Sequence, residues 1–203
     1  MILSKELKTK ESINSNFLKS GLYFLSLGGI GEIGANCYLY GCDGKWIMID
    51  LGLSFADDKF PGIDLLVPKI DFIEQLGNNL IAVIISHGHE DHAGAVSFLS
   101  DKINCPVYAT SFVKLLIENR LNEFGKLENL DLQELDTTTN LKLDNFDLEF
   151  IETTHSIPQP NAIVIKTTYG QLLHTADWKI DSSPTIGEKF NKNLFENIGN
   201  QGL

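Results

Sequence analysis

Cysteine is scarce and scattered in this chain. Cys37, Cys42 and Cys105 are odd in number and contain no Cys-x-x-Cys, so they offer no disulfide framework and no thiolate metal clip. They read as buried thiols in a reducing cytoplasm. Long apolar runs are also missing. None approaches the roughly 20 residues that span a membrane. The opening Met1-Ile2-Leu3-Ser4-Lys5-Glu6-Leu7-Lys8 mixes charge into every few residues, unlike a secretory signal. Positive charge is short: 16 Lys and Arg stand against 27 Asp and Glu, a net charge of −11. That balance argues against a broad basic face for nucleic acid.

What is present is a chain of 203 residues, 43% hydrophobic, enough for one good-sized globular domain. Residues 1–20 read as a polar extension and 21–203 as the domain. Its organising stretch is Ser86-His87-Gly88-His89-Glu90-Asp91-His92, which holds three of the five histidines. Before it, Leu80-Ile81-Ala82-Val83-Ile84-Ile85 reads as a strand buried on both faces. After it, Ala93 to Leu99 reads as the start of a helix. The histidines therefore sit in a turn at the C-terminal end of a core strand, where open α/β sheets place ligands. Imidazole and carboxylate together suit zinc, manganese or iron. Gly88 is expected to bend the backbone so that His87 and His89 aim at one point. Asp91 and His92, further round the turn, can serve a second metal.

Two more strand ends carry the same chemistry. Asp147 to Glu152 alternates polar and apolar residues and runs into Thr153-Thr154-His155. Ala162 to Thr168 and Gln171 to Asp177 form a strand pair that delivers Asp177, whose carboxylate can place one oxygen on each of two cations. His174, three residues earlier, points to the opposite face and is left out of the metal shell. Gly29-x-Gly31-x-x-Gly34 has the spelling of a dinucleotide turn, but the residues that follow, Asn36 to Asp50, read as a hairpin rather than the helix such a turn needs. No cofactor is assigned there; the glycines instead let a loop pass close to the metal floor. Asp50 closes the hairpin either as a turn residue or as an acceptor for a metal-bound histidine. Helices are predicted from Pro68 to Gly77 and from Thr110, as N-cap, to Gly125, with Val113, Leu116, Ile117 and Leu121 on one buried stripe.

His87-x-His89-x-Asp91-His92, His155 and Asp177 together resemble the metal set of the metallo-β-lactamase superfamily. Gly28 to Gly34, Thr153 to Pro158 and His174-Thr175-Ala176-Asp177-Trp178-Lys179 resemble its ribonuclease J branch, which carries an inserted β-CASP domain. The resemblance implies an αββα sandwich of the α/β class, here the N-terminal portion only. It implies cytoplasmic RNA processing and decay by 5′-to-3′ exonuclease and endonuclease action. It also implies homo-oligomers in the full-length protein and two metals per intact site, usually zinc, with manganese or magnesium possible. His87, His89 and His155 resemble the ligands of one metal, Asp91 and His92 those of the other, and Asp177 the bridge. The resemblance implies that Asp91 and Asp177 are the catalytic carboxylates, expected to hold the cations and orient the nucleophile.

Two departures stand out. Ala176 replaces the glycine common in the family. No histidine follows His174, although the family completes its second metal with one late in the chain, after the β-CASP segment. The last residues, Glu196 to Leu203, read as the approach to a further strand, and the chain as an N-terminal fragment. The alternative function is hydrolysis of a small thioester or lactam on the same metal floor.

Overall fold

The computed structural model describes residues 19–58 and 60–203; the polar extension expected at 1–20 lies outside them up to residue 18. Twelve strands and five α-helices are arranged in four layers among the described residues. The first sheet begins as an antiparallel meander of β1 (Leu22–Gly28), β2 (Cys37–Cys42) and β3 (Lys45–Ile49). A small hairpin, β4 (Ser54–Phe55) with β5 (Leu65–Leu66), and helix α1 (Asp71–Leu76) follow. The sheet then continues in parallel through β6 (Leu80–Ile84), β7 (Val107–Ala109) and β8 (Leu132–Glu134), in the order β1-β2-β3-β6-β7-β8. Between β6 and β7 lie two short helices, α2 (Glu90–Ala93) and α3 (Val96–Leu99), and between β7 and β8 lies α4 (Ser111–Glu123).

The second sheet is antiparallel. It comprises β9 (Leu141–Leu143), β10 (Phe146–Glu152), β11 (Asn161–Thr167) and β12 (Gly170–His174), and α5 (Lys192–Asn200) follows it.

Strand periodicity assigns each layer. On β3 and β6, Trp46, Met48, Val83 and Ile85 face the helices, where they meet Ile73, Val96, Val113 and Ile117. Their neighbours Ile47, Ile49, Ala82 and Ile84 face the second sheet and pack on Phe146, Leu148, Phe150, Ile163 and Ile165. On the far side, Ile151, Ala162 and Val164 lie under Leu194, Phe195 and Ile198 of α5. Side chains two apart share a face, so a strand apolar at every position must be sandwiched. This gives the αββα order that the resemblance implied.

The differences from the sequence reading are local. The helix expected from Ala93 is split into α2 and α3, because the Ala95 amide turns away to bond the Leu51 carbonyl at 3.0 Å. Thr110 occupies the N-cap position of α4 without a side-chain capping bond; the Gln159 carboxamide, from the far sheet, accepts from the Phe112 amide at 3.0 Å instead. Leu116, expected on the buried stripe, is 39% exposed. Residues 192–200 are helical: three asparagines and Gly199 mask a helix whose apolar residues fall on one side. All three cysteines are buried and free.

Leu148 is fully buried between the sheets. Leu148→Ala is expected to lower unfolding stability by about 2–5 kcal/mol through lost transfer energy and a cavity, read from the midpoint of urea denaturation.

Candidate metal centre

The C-terminal ends of β3, β6, β10 and β12 meet on one rim. β6 delivers Ser86 and His87, the turn delivers His89, and α2 carries Asp91 and His92. β10 ends three residues before His155, and β12 three residues before Asp177. His89 Nδ1 lies 3.2 Å from His87 Nε2 and 3.1 Å from His155 Nε2. These spacings are close to the edge, roughly 3.3 Å, of a tetrahedron built on metal–nitrogen bonds of about 2.0–2.1 Å. His87, His92 and Asp177 form a second group, with ligand atoms within 4.8 Å of one another. Asp177 spans the two. One of its oxygens is 3.5 Å from His92 Nε2 and the other 3.6 Å from His155 Nε2. Asp91 Oδ2 stands 3.7 Å from His92 Nε2. The sequence reading gave His87 to one metal; in the fold it borders both groups. With imidazole and carboxylate donors converging from three parts of the chain, this donor set fits divalent ions of the zinc or manganese kind.

Asp50 organises the rim from below. It is fully buried and adopts a left-handed backbone with φ of 63°. Its carboxylate accepts from the Ser86 amide at 2.8 Å, the Ser86 hydroxyl at 2.9 Å and His92 Nδ1 at 2.6 Å. Since the Ser86 hydroxyl donates to Asp50, it accepts from His87 Nδ1, 2.9 Å away. One carboxylate thereby keeps a proton on Nδ1 of two histidines, His92 directly and His87 through Ser86, so that it is the Nε2 atoms that face the centre. Of the two roles open to Asp50 in the sequence, it takes the histidine acceptor.

The electrostatics follow. Burial opposes a charge on His92, yet Asp50 and then Asp177 raise its pKa to about 10. Burial, and then the charge of His92, push His87 down to about 3. The hydrogen bond from His92 is the main reason that Asp177 falls to about 2. Burial, then His89, also lowers His155. His174 is buried on the other side of Asp50, with Nδ1 3.0 Å from the Tyr40 hydroxyl and its ring edge against Tyr38.

Two backbone features make the approach possible. A Cβ on Gly52 would lie 1.6 Å from the Asp91 carbonyl oxygen, so only glycine lets the hairpin end run against α2. Gly88 has no positive φ; its role is space rather than the bend expected, for a Cβ there would meet Leu116 at 2.8 Å. Ala176 does adopt a left-handed φ of 48°, which costs an alanine about 1–2 kcal/mol and a glycine nothing.

Asn36 escaped the sequence reading. It follows the glycine loop, and its amide nitrogen reaches the Asp91 carbonyl at 3.0 Å, the Asp91 carboxylate at 3.2 Å and His92 Nε2 at 3.0 Å. No spacing rule flags a lone Asn; only the tertiary approach of the loop does. The loop runs into a hairpin of β2 and β3, as the sequence suggested.

Residues 30–178 match the sequence profile described as the Metallo-beta-lactamase superfamily. The chain belongs to this superfamily. It is 39% identical over 186 residues to Ribonuclease J of Sinorhizobium meliloti, aligning 90% of this chain with 33% of that protein. It is 30% identical over 179 residues to Ribonuclease J2 of Bacillus subtilis, with 88% and 32% aligned. The chain thus spans about a third of the length of these curated relatives. Among solved structures, a protein of unknown function from Enterococcus faecalis V583 superposes with a TM-score of 0.58 at 22% identity, over 78% of this chain and 44% of that one. The metallo-beta-lactamase fold protein YhfI from Bacillus subtilis gives 0.53 at 17%, over 78% and 64%. These two likenesses speak for the fold alone.

Asp50→Asn is expected to weaken metal binding about 10- to 100-fold, read by calorimetric zinc titration, because it loosens His92 directly and His87 through Ser86. A pH dependence follows from His92. Its folded pKa of about 10 lies above the ordinary 6.5, so the Asp50–His92 pair stabilises the metal-free chain fully below pH 6.5. That stabilisation is lost as pH rises through 10. Urea melts of the metal-free protein should show the gap between wild type and Asp50→Asn narrowing over that range.

Proposed function

We propose that the chain is the metal-binding domain of a ribonuclease J-type enzyme, a metal-dependent phosphodiester hydrolase that cleaves RNA. The convergence of His87, His89, His92, His155 and Asp177, with Asp91 outside both groups but 3.7 Å from His92, carries this reading, and the similarity to Ribonuclease J over nine-tenths of the chain directs it to RNA. In this assignment residues 21–203 form the lactamase-like unit. His87, His89 and His155 would hold one divalent ion such as zinc and Asp91 and His92 a second, with Asp177 within reach of both groups. A pair of divalent cations there supplies positive charge for the phosphoryl oxygens and lowers the pKa of water toward neutrality.

The chain's own groups do the rest. Asp91 and Asp177 fix the cations and orient the attacking water in line with the scissile P–O bond. Asp50 holds His92 by a direct bond to Nδ1 and His87 through the Ser86 hydroxyl, so that each presents Nε2 as the ligand atom. The net charge of −11 repels RNA from most of the surface, so the cations provide the attraction that the side chains lack. Exonuclease and endonuclease action in RNA processing and decay, a cytoplasmic setting and assembly into homo-oligomers belong to the same proposal. Among the described residues no helix is long and apolar enough to cross a membrane.

His87→Ala tests the assignment, because His87 borders both groups. Elemental analysis is expected to show most of the bound zinc lost while circular dichroism stays unchanged. Any cleavage of 5′-monophosphorylated RNA should fall to background. A variant that keeps its metal and its turnover, or a wild type that hydrolyses thioesters or β-lactams and leaves RNA intact, would sink it.

A further inference from the structure

Beside the metal rim stands an aromatic cluster that the assignments above leave unused. Trp178 directly follows Asp177. Its ring lies 5.1 Å from Phe190 with an interplanar angle of 15°, and 6.5 Å from Phe195 at 22°. Phe190 and Phe195 are 5.1 Å apart at 12°. Three nearly parallel rings thus brace one another, and Phe195 anchors them through α5 to the second sheet. A cluster built only for packing buries its largest ring. Here Trp178, the largest, is the most open, at 44% exposure, whereas the other tryptophan, Trp46, is fully buried.

The position of the ring is fixed. The Lys179 amide donates to the Thr154 carbonyl at 2.7 Å, and the Thr154 hydroxyl donates back to the Lys179 carbonyl. Trp178 is therefore clamped between the carboxylate that spans the two metal groups and the strand end that carries His155. Its Cα is about 3.8 Å from that of Asp177, so the indole is rooted one residue from the carboxylate of the rim.

We propose that Trp178, braced by Phe190 and Phe195, is a stacking platform for a nucleobase of single-stranded RNA next to the scissile phosphate. The inference rests on the RNA reading above and extends it to how substrate is held. Stacking is independent of charge and tolerant of base identity, because every base has a π-face. It suits a strongly acidic chain, which cannot grip RNA with a basic groove.

The test uses adenosine 5′-monophosphate and ribose 5-phosphate, which differ only in the base, titrated calorimetrically and by tryptophan emission into the zinc-loaded chain. The platform predicts that the nucleotide binds at least roughly five-fold tighter than the sugar phosphate, the low end of base–aromatic stacking, and quenches emission. Trp178→Ala should erase the difference and Trp178→Phe should keep most of it. The emission of buried Trp46 reports that each variant is folded. Equal affinity of the two ligands in wild type, or a base preference that survives Trp178→Ala, would overturn the platform while leaving phosphate binding at the metals intact. Failure of both ligands to bind would overturn the platform and the RNA reading together.

Discussion

The buried carboxylate of Asp50 is the constraint on which the site depends. A fully buried anion is expensive unless every lone pair is engaged, and this one is engaged by the Ser86 amide, the Ser86 hydroxyl and His92 Nδ1. Burial works against the charge, but His92 outweighs it and leaves the Asp50 carboxyl below the ordinary range. The same three bonds that stabilise the carboxylate also turn two imidazoles toward the rim. Stability of the core and geometry of the centre are thus set by one group, placed where β3 ends beside β6.

That arrangement explains the architecture around it. Parallel pairing of β3 with β6 sets Ile49 level with Ile84, which brings the Asp50 carboxylate within reach of Ser86 just beyond the end of β6. The apolar residues of β10 and β11 then press the second sheet against the first, and this sets His155 and Asp177 over the turn that carries His87 and His89. His87, His155 and Asp177 follow strand ends whose interiors are locked by packing on both sides, and Asp91 and His92 ride on α2, so the donors are held apart by a rigid frame rather than by one another. The hairpin and its glycine loop close the remaining side, with the Asn36 side chain bridging Asp91 and His92.

Charge and shape divide the work of recognition in the proposed function. The acidic surface excludes general attraction to a polyanion, so binding is confined to the cation positions and to whatever apolar handholds flank them. The exposed indole of Trp178 is such a handhold, and its place in the chain, one residue from Asp177, ties it to the same strand end.

Much was legible in the residues alone. A run of β-branched residues before His87, the His-x-His-x-Asp-His spacing and the alternation leading to His155 depend on local periodicity, which a one-dimensional pattern records. The strand ends carrying His87, His155 and Asp177 were read in this way, as were the hairpin and the main helix. The misreadings were of neighbours. A Cβ on Gly88, read as a bend, would meet Leu116; Thr110 takes the N-cap position as read, but the side-chain bond to the first turn comes from Gln159; α5 was hidden by weak helix formers whose one-sided burial only the second sheet creates.

The sequence by itself determined which side chains can bind metal and on which strand ends they sit, because ligand type and strand periodicity are local properties. The tertiary structure decided which of two roles Asp50 takes, that His87 borders both metal groups, that Asn36 reaches them, and that Trp178 stays open beside them. Those outcomes depend on distances between segments far apart in the chain, and only the packing of the two sheets fixes such distances.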